Sequence, residues 1–308
     1  MSALAKNNRG PWQPDTEILR IDLALRAAFG LPTRGGHMIQ PWYAAKHLPA
    51  PEVKGQLELA FDFEIRDLPA GPVELALESP QKFAIELNGK PQGSFPAVGA
   101  FWIDSALRRL PLPAGLLRTG LNTLTLKAGF RSDLDLETLY LLGNFGVKLG
   151  GTRRTLVKLP KTLAIGSITE QGLPFYGAGV TYQVPIPAVC RKGGAVFLET
   201  PKFSASCIMA GGENDARHMI AWQPYEAEVG AICRDRETLP LHVVVTRRNT
   251  FGPVHELPLK QGAYGPASFH SLGGNWSESY AITPAGLLEA PTFVRRTSAA
   301  TVVDHAAP

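Results

Sequence analysis

The sequence contains an internal repeat of about 120 residues, and this feature restricts most strongly how the chain can fold. The segment LESPQKFAIELNG, which begins at Leu77, matches LETPKFSASCIMAG, which begins at Leu198, and places Glu78 and Glu199 121 positions apart. Trp102 and Trp222 continue the match at a spacing of 120. Because this spacing equals the length of an ordinary domain, it predicts a duplicated domain rather than a short-period solenoid.

Both copies consist of short segments in which apolar and polar residues alternate between Gly- and Pro-containing turns. Examples are QLELAFDFEI, VELALE, FAIELNG and NTLTLKAG. Such segments are typical of half-buried antiparallel strands, and their connections favour a jelly-roll or Greek-key layout. The strongest helical pattern is DTEILRIDLALRAAFG at 15–30, which has an acidic start and a terminal glycine. We predict an all-β chain of two tandem antiparallel β-sandwiches with one short N-terminal helix.

The repeat and the turn residues set the predicted domain boundaries. We place an N-terminal segment with the helix at 1–54, the first sandwich at 55–150 and the second at 151–258. A Gly/Pro-rich tail at 259–308 is expected to pack on the second sandwich, with its last residues disordered.

Composition excludes several classes of partner. The 308 residues carry a net charge of +4, and the charges are interspersed, so we expect no nucleic-acid partner. No apolar run approaches the roughly 20 residues that cross a bilayer, and the first residues lack a signal-peptide pattern, so we predict no membrane partner and a cytoplasmic location. Cys190, Cys207 and Cys233 have neither disulfide nor zinc spacing and are interpreted as buried apolar residues.

Several motifs resemble a known domain family. The strand FAIELNGK, the segment WIDSALRRLPLPAGLLRTGLNTLTL and the second copy's GLPFYGAGVTYQVPIP resemble the sugar-binding jelly-roll domain of family two glycoside hydrolases, a relative of galactose-binding-like domains. With SDLDLETLYLLGNFGV and RRNTFGPVH, they also resemble the C-terminal region of large bacterial glycosidase-like proteins. The resemblance implies carbohydrate binding. It does not imply catalysis, because those enzymes carry their carboxylates on a TIM barrel, and no barrel pattern is present here.

The densest acidic run is SDLDLE, which places Asp133, Asp135 and Glu137 on one face of an extended segment. Three neighbouring carboxylates need a cation, and we favour Arg131 and other arginines over a structural calcium ion. Apart from that calcium, no cofactor is expected. If the chain is instead a glycoside hydrolase, the carboxylates converge between the two sandwiches. Its catalytic candidates are then Asp133, Asp135, Glu137, Glu199, Glu213 and Asp215.

A ligand site is predicted from aromatic and polar residues. Sugar rings need a stacking face and fixed hydrogen-bonding groups, and the loop TRRNTFGPVH with the run GGNWSESY supplies both. Trp276 is expected to be exposed, whereas Trp102 and Trp222 are expected to pack in the core. The predicted ligand residues are Arg247, Arg248, Asn249, His255, Trp276, Tyr280 and Tyr176.

These patterns leave three functions open. We favour a non-catalytic carbohydrate-binding accessory protein, acting alone or docked on a catalytic glycosidase subunit. The alternatives are a complete glycoside hydrolase and a structural or assembly subunit. Glycan binding without turnover separates the first function from the other two.

Overall fold

The structure is a computed structural model that describes residues 2–7, 16–32, 40–93, 100–192, 194–213, 215, 217–257 and 275–296. The chain forms two compact units, residues 1–160 with 253–281 and residues 161–252 with 282–308. These boundaries differ from the predicted ones, because the chain leaves the second unit at Gly252, and residues 253–281 then belong to the first unit. The end of the tail, predicted to be disordered, lies outside the described residues.

The first unit is built from two sheets. Its larger sheet has the strand order β11-β12-β3-β9-β5-β6, joined by β1 and β2, and its smaller sheet has the order β10-β4-β8-β7. All pairs are antiparallel except β12 with β3. Its described strands are β1 (Ser2–Asn7), β2 (Thr16–Glu17), β3 (Gly55–Ile65), β4 (Val73–Glu78), β5 (Ala84–Leu87), β6 (Lys90–Pro91), β7 (Phe101–Trp102), β8 (Asp104–Leu112), β9 (Gly120–Phe130), β10 (Tyr140–Gly143), β11 (Gly146–Gly150) and β12 (Arg153–Val157).

The core of the first unit lies between its two sheets. Alternate residues of β3, β4 and β9 point inward, and Phe61, Leu75 and Leu124 among them are fully buried. Helix α1 (Ile18–Ala28) adds Ile18 and Ile21 to this core, and a second helix, α2, spans Pro41–His47. Short 3-10 turns lie at Pro80–Lys82 and Ala114–Leu116. The predicted helix is therefore confirmed, with its ends closer together than the pattern indicated.

The second unit also has two main sheets around one core. They have the orders β13-β19-β16-β17 and β18-β14-β21, and a short pair joins β15 to β20. Val196, Ile208 and Leu241 are fully buried between them. The described elements are β13 (Gly179–Pro185), β14 (Val196–Glu199), β15 (Phe203–Ser204), β16 (Cys207–Ala210), β17 (His218–Ile220), β18 (Glu226–Glu228), α3 (Gly230–Cys233), β19 (Thr238–Val244), α4 (Arg248–Phe251), β20 (Gly286–Leu287) and β21 (Thr292–Arg295).

The two units repeat one strand order. In the first, β3, β9, β5 and β6 are neighbours in the larger sheet, and β13, β19, β16 and β17 follow the same order in the second. In the smaller sheets, β10-β4-β8 corresponds to β21-β14-β18. Glu78 ends β4 and Glu199 ends β14, as the sequence match predicts. The all-β fold of two sandwiches is confirmed.

Candidate functional site

The acidic run of the first unit is held by the protein's own cations. Asp133 forms ion pairs with Arg131 at 3.0 Å and with Lys82 at 3.1 Å. The carboxylate of Asp135 accepts a hydrogen bond of 2.8 Å from Arg26 Nη2. Leu134 and Leu136 point into the core between these residues, so the two aspartates share the outer side as predicted. These contacts support the salt-bridge interpretation of this run.

A small pocket lies beside the same run. It is a shallow depression lined by apolar side chains such as Phe83 and by Glu78, Asp135 and Glu137. Burial raises the pKa of Tyr140, and the charges of Glu137 and Glu78 raise it further. Across the part of the chain that the structure describes, no three His, Cys, Asp or Glu side chains are grouped to hold a metal ion.

The three acidic candidates in the second unit have different environments. Asp215 accepts two hydrogen bonds of 2.7 Å from Arg236, and this guanidinium lowers the pKa of its carboxyl group. Glu199 lies 3.5 Å from Arg296, and Glu213 is exposed. A general acid in a glycosidase needs a raised pKa, so the pairing of Asp215 opposes that role.

The predicted ligand residues of the second unit are Tyr176, Arg247, Arg248 and Asn249. Asn249 is 3% exposed, donates to Thr283 O and accepts from the Thr283 backbone N–H and hydroxyl at 2.8 to 3.0 Å. These bonds give Asn249 a structural role, and its predicted contact with a ligand remains a prediction. Arg247 is exposed, Arg248 is half-buried at the start of α4, and Tyr176 donates to Gly179 O.

The other three predicted ligand residues belong to the first unit. His255 is buried, and its ring lies 6.2 Å from that of Trp276 and 4.8 Å from that of Tyr280. Arg20 covers Trp276 at 4.2 Å, so this tryptophan is half-buried and its expected exposure is wrong. Burial lowers the pKa of His255 to about 4. The predicted set is thus divided between the two units, and in the first unit it forms a packed cluster.

The repeated tryptophans have opposite environments. Trp102 is half-buried and contacts Tyr140, with ring centroids 5.0 Å apart, whereas Trp222 is 65% exposed. Tyr140 pairs with Ala76 of β4, and the equivalent position on β21, opposite Phe197 of β14, holds Val294. Valine offers no ring for a tryptophan to pack on. The expected core packing is therefore wrong for Trp222.

Trp222 lies in a loop that is fixed at its end. The loop connects β17 to β18, and the carbonyl of Tyr225 accepts hydrogen bonds from the backbone N–H of Thr200 at 2.9 Å and from its hydroxyl at 3.0 Å. Thr200 is 1% exposed. The ring of Tyr225 meets Phe203 edge-on at 5.1 Å, and its side chain remains 38% exposed. The loop therefore displays Trp222 from a rigid base.

Charged groups surround the base of this loop. Glu199 and Glu226 are partners across β14 and β18, and both contact Arg296, at 3.5 and 2.5 Å. The guanidinium of Arg296 lies 4.0 Å above the Phe197 ring and lowers the pKa of Glu226. The Trp222 loop therefore carries an exposed indole, and its base carries carboxylates and a guanidinium, which are the kinds of group that sugar-binding sites use. The sequence contained this signal in AWQPY, but its repeat partner Trp102 pointed to packing.

Comparisons with known proteins give likenesses to solved structures alone. No family model and no curated protein matches the chain. Among solved structures, the chain is similar to a β-D-mannosidase from Dictyoglomus thermophilum, with 11% identity and a TM-score of 0.28. The match covers 79% of this chain and 30% of the mannosidase. At this TM-score the likeness carries no argument about the fold or the activity of this chain.

Proposed function

We propose that the chain is a non-catalytic carbohydrate-binding accessory protein whose site is centred on Trp222. The observation that supports this proposal is the 65% exposure of Trp222, in a repeat whose equivalent residue, Trp102, is packed. A large aromatic side chain without a packing role adds apolar surface that water disfavours. A ligand that covers this surface would offset that cost.

Sugars fit this chemistry. The C–H faces of a pyranose ring are apolar and stack on an indole, while the hydroxyls at its edge need fixed donors and acceptors. Glu199, Glu226 and Arg296 supply such groups, and their mutual contacts hold them in place. The double hydrogen bond from Thr200 to Tyr225 reduces the conformational entropy that the loop loses on binding.

Three of the carboxylates considered for catalysis have environments that favour binding over hydrolysis. Hydrolysis needs two carboxyl groups across the scissile bond, one of them with a raised pKa. Asp133, Asp135 and Asp215 are instead engaged by lysine or arginine side chains. We therefore expect no turnover on a panel of aryl glycosides. Sustained release of the aryl group by the purified wild-type chain would contradict the non-catalytic part of the proposal.

Affinity electrophoresis tests the binding site. The wild-type chain, Trp222→Ala and Trp42→Ala are run in native gels that contain pullulan, mixed-linkage β-glucan, galactomannan or xyloglucan. Trp42 is 61% exposed in the first unit and is the matched control for removal of a surface indole.

We expect at least one polysaccharide to retard the wild-type chain and Trp42→Ala alike. Trp222→Ala should lose most of this retardation, about tenfold or more in affinity, as for an aromatic anchor. Migration of the wild-type chain that no polysaccharide changes would contradict carbohydrate binding. Equal retardation of Trp222→Ala and the wild-type chain would contradict the site.

A further inference from the structure

We infer that the Trp222 site selects uncharged glycans and rejects glycans that carry uronic acid or sulfate groups. This inference rests on the proposed function and concerns the class of sugar that the same site accepts. It is drawn from the charges on the outer face of the smaller sheet in the second unit, at the base of the Trp222 loop.

Among the residues that the structure describes, three carboxylates and one guanidinium are assigned to this outer face. In β14, Val196 and Leu198 point into the core, so Phe197 and Glu199 point outward. The register pairs Glu199 with Glu226 and Phe197 with Glu228, which places both β18 glutamates on the outer side. Arg296, at the end of β21, is the cation that contacts Glu199 and Glu226. The face thus has an excess of two negative charges.

The neighbouring cations do not reverse this balance. Arg295 pairs in register with Val196, whose side chain is buried, so it belongs to the opposite side of the sheet. Lys202 lies 3.6 Å from Glu289, which offsets its charge. A carboxylate or sulfate on a bound sugar would therefore meet net repulsion from Glu199, Glu226 and Glu228.

The same carboxylates suit neutral sugars. An ionised carboxylate is an acceptor only, with about four lone-pair positions, and Arg296 uses part of this capacity in each glutamate. The remaining positions can accept from sugar hydroxyls, in hydrogen bonds that are stronger than neutral ones. Because the guanidinium of Arg296 also lies over the Phe197 ring, these acceptors are held in place before the ligand arrives. Hydroxyls match this face, and anionic groups do not.

The test compares three forms of each polymer, of which only one is charged. Each of the four polysaccharides is used unmodified, after oxidation of its primary hydroxyls to carboxylates, and after methyl esterification of those carboxylates. The wild-type chain, Glu228→Gln and Glu228→Lys are run against all three forms at low and high salt. Glu228 is exposed and faces outward, so its replacement changes the charge without removing a packing contact.

We expect the unmodified polymer to bind, the oxidised form to bind about five- to tenfold more weakly at low salt, and the ester to recover most of the loss. High salt should reduce the difference, because exposed charges are screened beyond about 10 Å at 0.1 M. Glu228→Lys should bind the oxidised form better than the wild-type chain does, with Glu228→Gln between them.

Two results would overturn the inference while carbohydrate binding stands. One is that the oxidised polymer binds as well as or better than the unmodified polymer. The other is that the ester binds as weakly as the acid, because the loss would then reflect the missing hydroxyl and not the charge. If no polymer binds in any form, the proposed function itself fails, and the inference fails with it.

Discussion

Trp102 and Trp222 occupy equivalent places in the two units, yet Trp102 packs against Tyr140 while Trp222 is 65% exposed. The surroundings differ in two ways: Trp102 belongs to strand β7 and lies near Tyr140, whereas Trp222 lies in a loop and the position that corresponds to Tyr140 holds Val294. The two units can therefore be compared directly, because the first unit shows this tryptophan as a packing residue. The other copy keeps the tryptophan where packing does not require it.

Removal of Arg26 should destabilise the first unit strongly. Arg26 and Asp22 are 2% and 1% exposed, Arg26 Nε donates to Asp22 at 2.7 Å, and Arg26 Nη2 also donates to Leu134 O. Arg26→Ala leaves Asp22 as a buried and uncompensated charge, which costs about 3–5 kcal/mol. Urea unfolding followed by tryptophan fluorescence measures the change.

The control is Arg66→Ala, which removes an exposed ion pair with Asp67 and should change the free energy of unfolding far less than Arg26→Ala does. Equal losses in the two variants would show that the buried pair has no special role. The double variant Asp22→Leu/Arg26→Met should recover part of the stability, because no buried charge then remains unpaired.

Asn249 should behave as a structural residue. Its three hydrogen bonds to Thr283 join α4 to the segment before β20, and Asn249→Ala leaves the Thr283 backbone N–H and hydroxyl without their acceptor. We expect a loss of about 2–3 kcal/mol in the free energy of unfolding, against about 0.5 kcal/mol for the exposed neighbour in Arg247→Ala. Unchanged stability with weakened polysaccharide retention would instead restore a ligand role for Asn249.

The stability of the first unit should fall in mild acid because of His255. Burial holds the pKa of its imidazole at about 4, below the ordinary value of 6.5, so the unfolded chain binds the proton more tightly. The stabilisation is full above pH 6.5 and is lost as the pH falls towards 4. Between pH 7 and pH 5 the wild-type chain should lose about 1–2 kcal/mol more than His255→Gln does. Parallel losses in both proteins would contradict this assignment.

Most of the fold could be predicted from the sequence because strand alternation and the repeat are local signals. The match at Glu78 and Glu199 gave equivalent strand ends, and the helix at 15–30 was found from its apolar spacing. The return of residues 253–281 to the first unit was missed, because Gly252–Pro253 marks a change of direction but not where the chain goes next. That choice depends on tertiary contacts such as the packing of His255 with Trp276 and Tyr280.

The candidate site was harder to predict for a related reason. Nearness in sequence grouped Asn249 with His255, although the fold puts them in different units. Trp222 was expected to pack because a tryptophan usually does, and Val294, which holds the position that corresponds to Tyr140, lies 72 positions further on. Exposure is a property of the assembled sheet, so a repeat conserves the position of a tryptophan without conserving its environment.

The most direct test of the central claim measures stability and binding together in the two tryptophan variants. Trp102→Ala should lower the free energy of unfolding by about 2–3 kcal/mol through the lost contact with Tyr140. Its folded fraction should bind the polysaccharide that retards the wild-type chain as tightly as the wild-type chain does. Trp222→Ala should change stability by less than about 0.5 kcal/mol and weaken binding about tenfold or more. A Trp222→Ala variant that unfolds more easily but binds normally once folded would contradict the account.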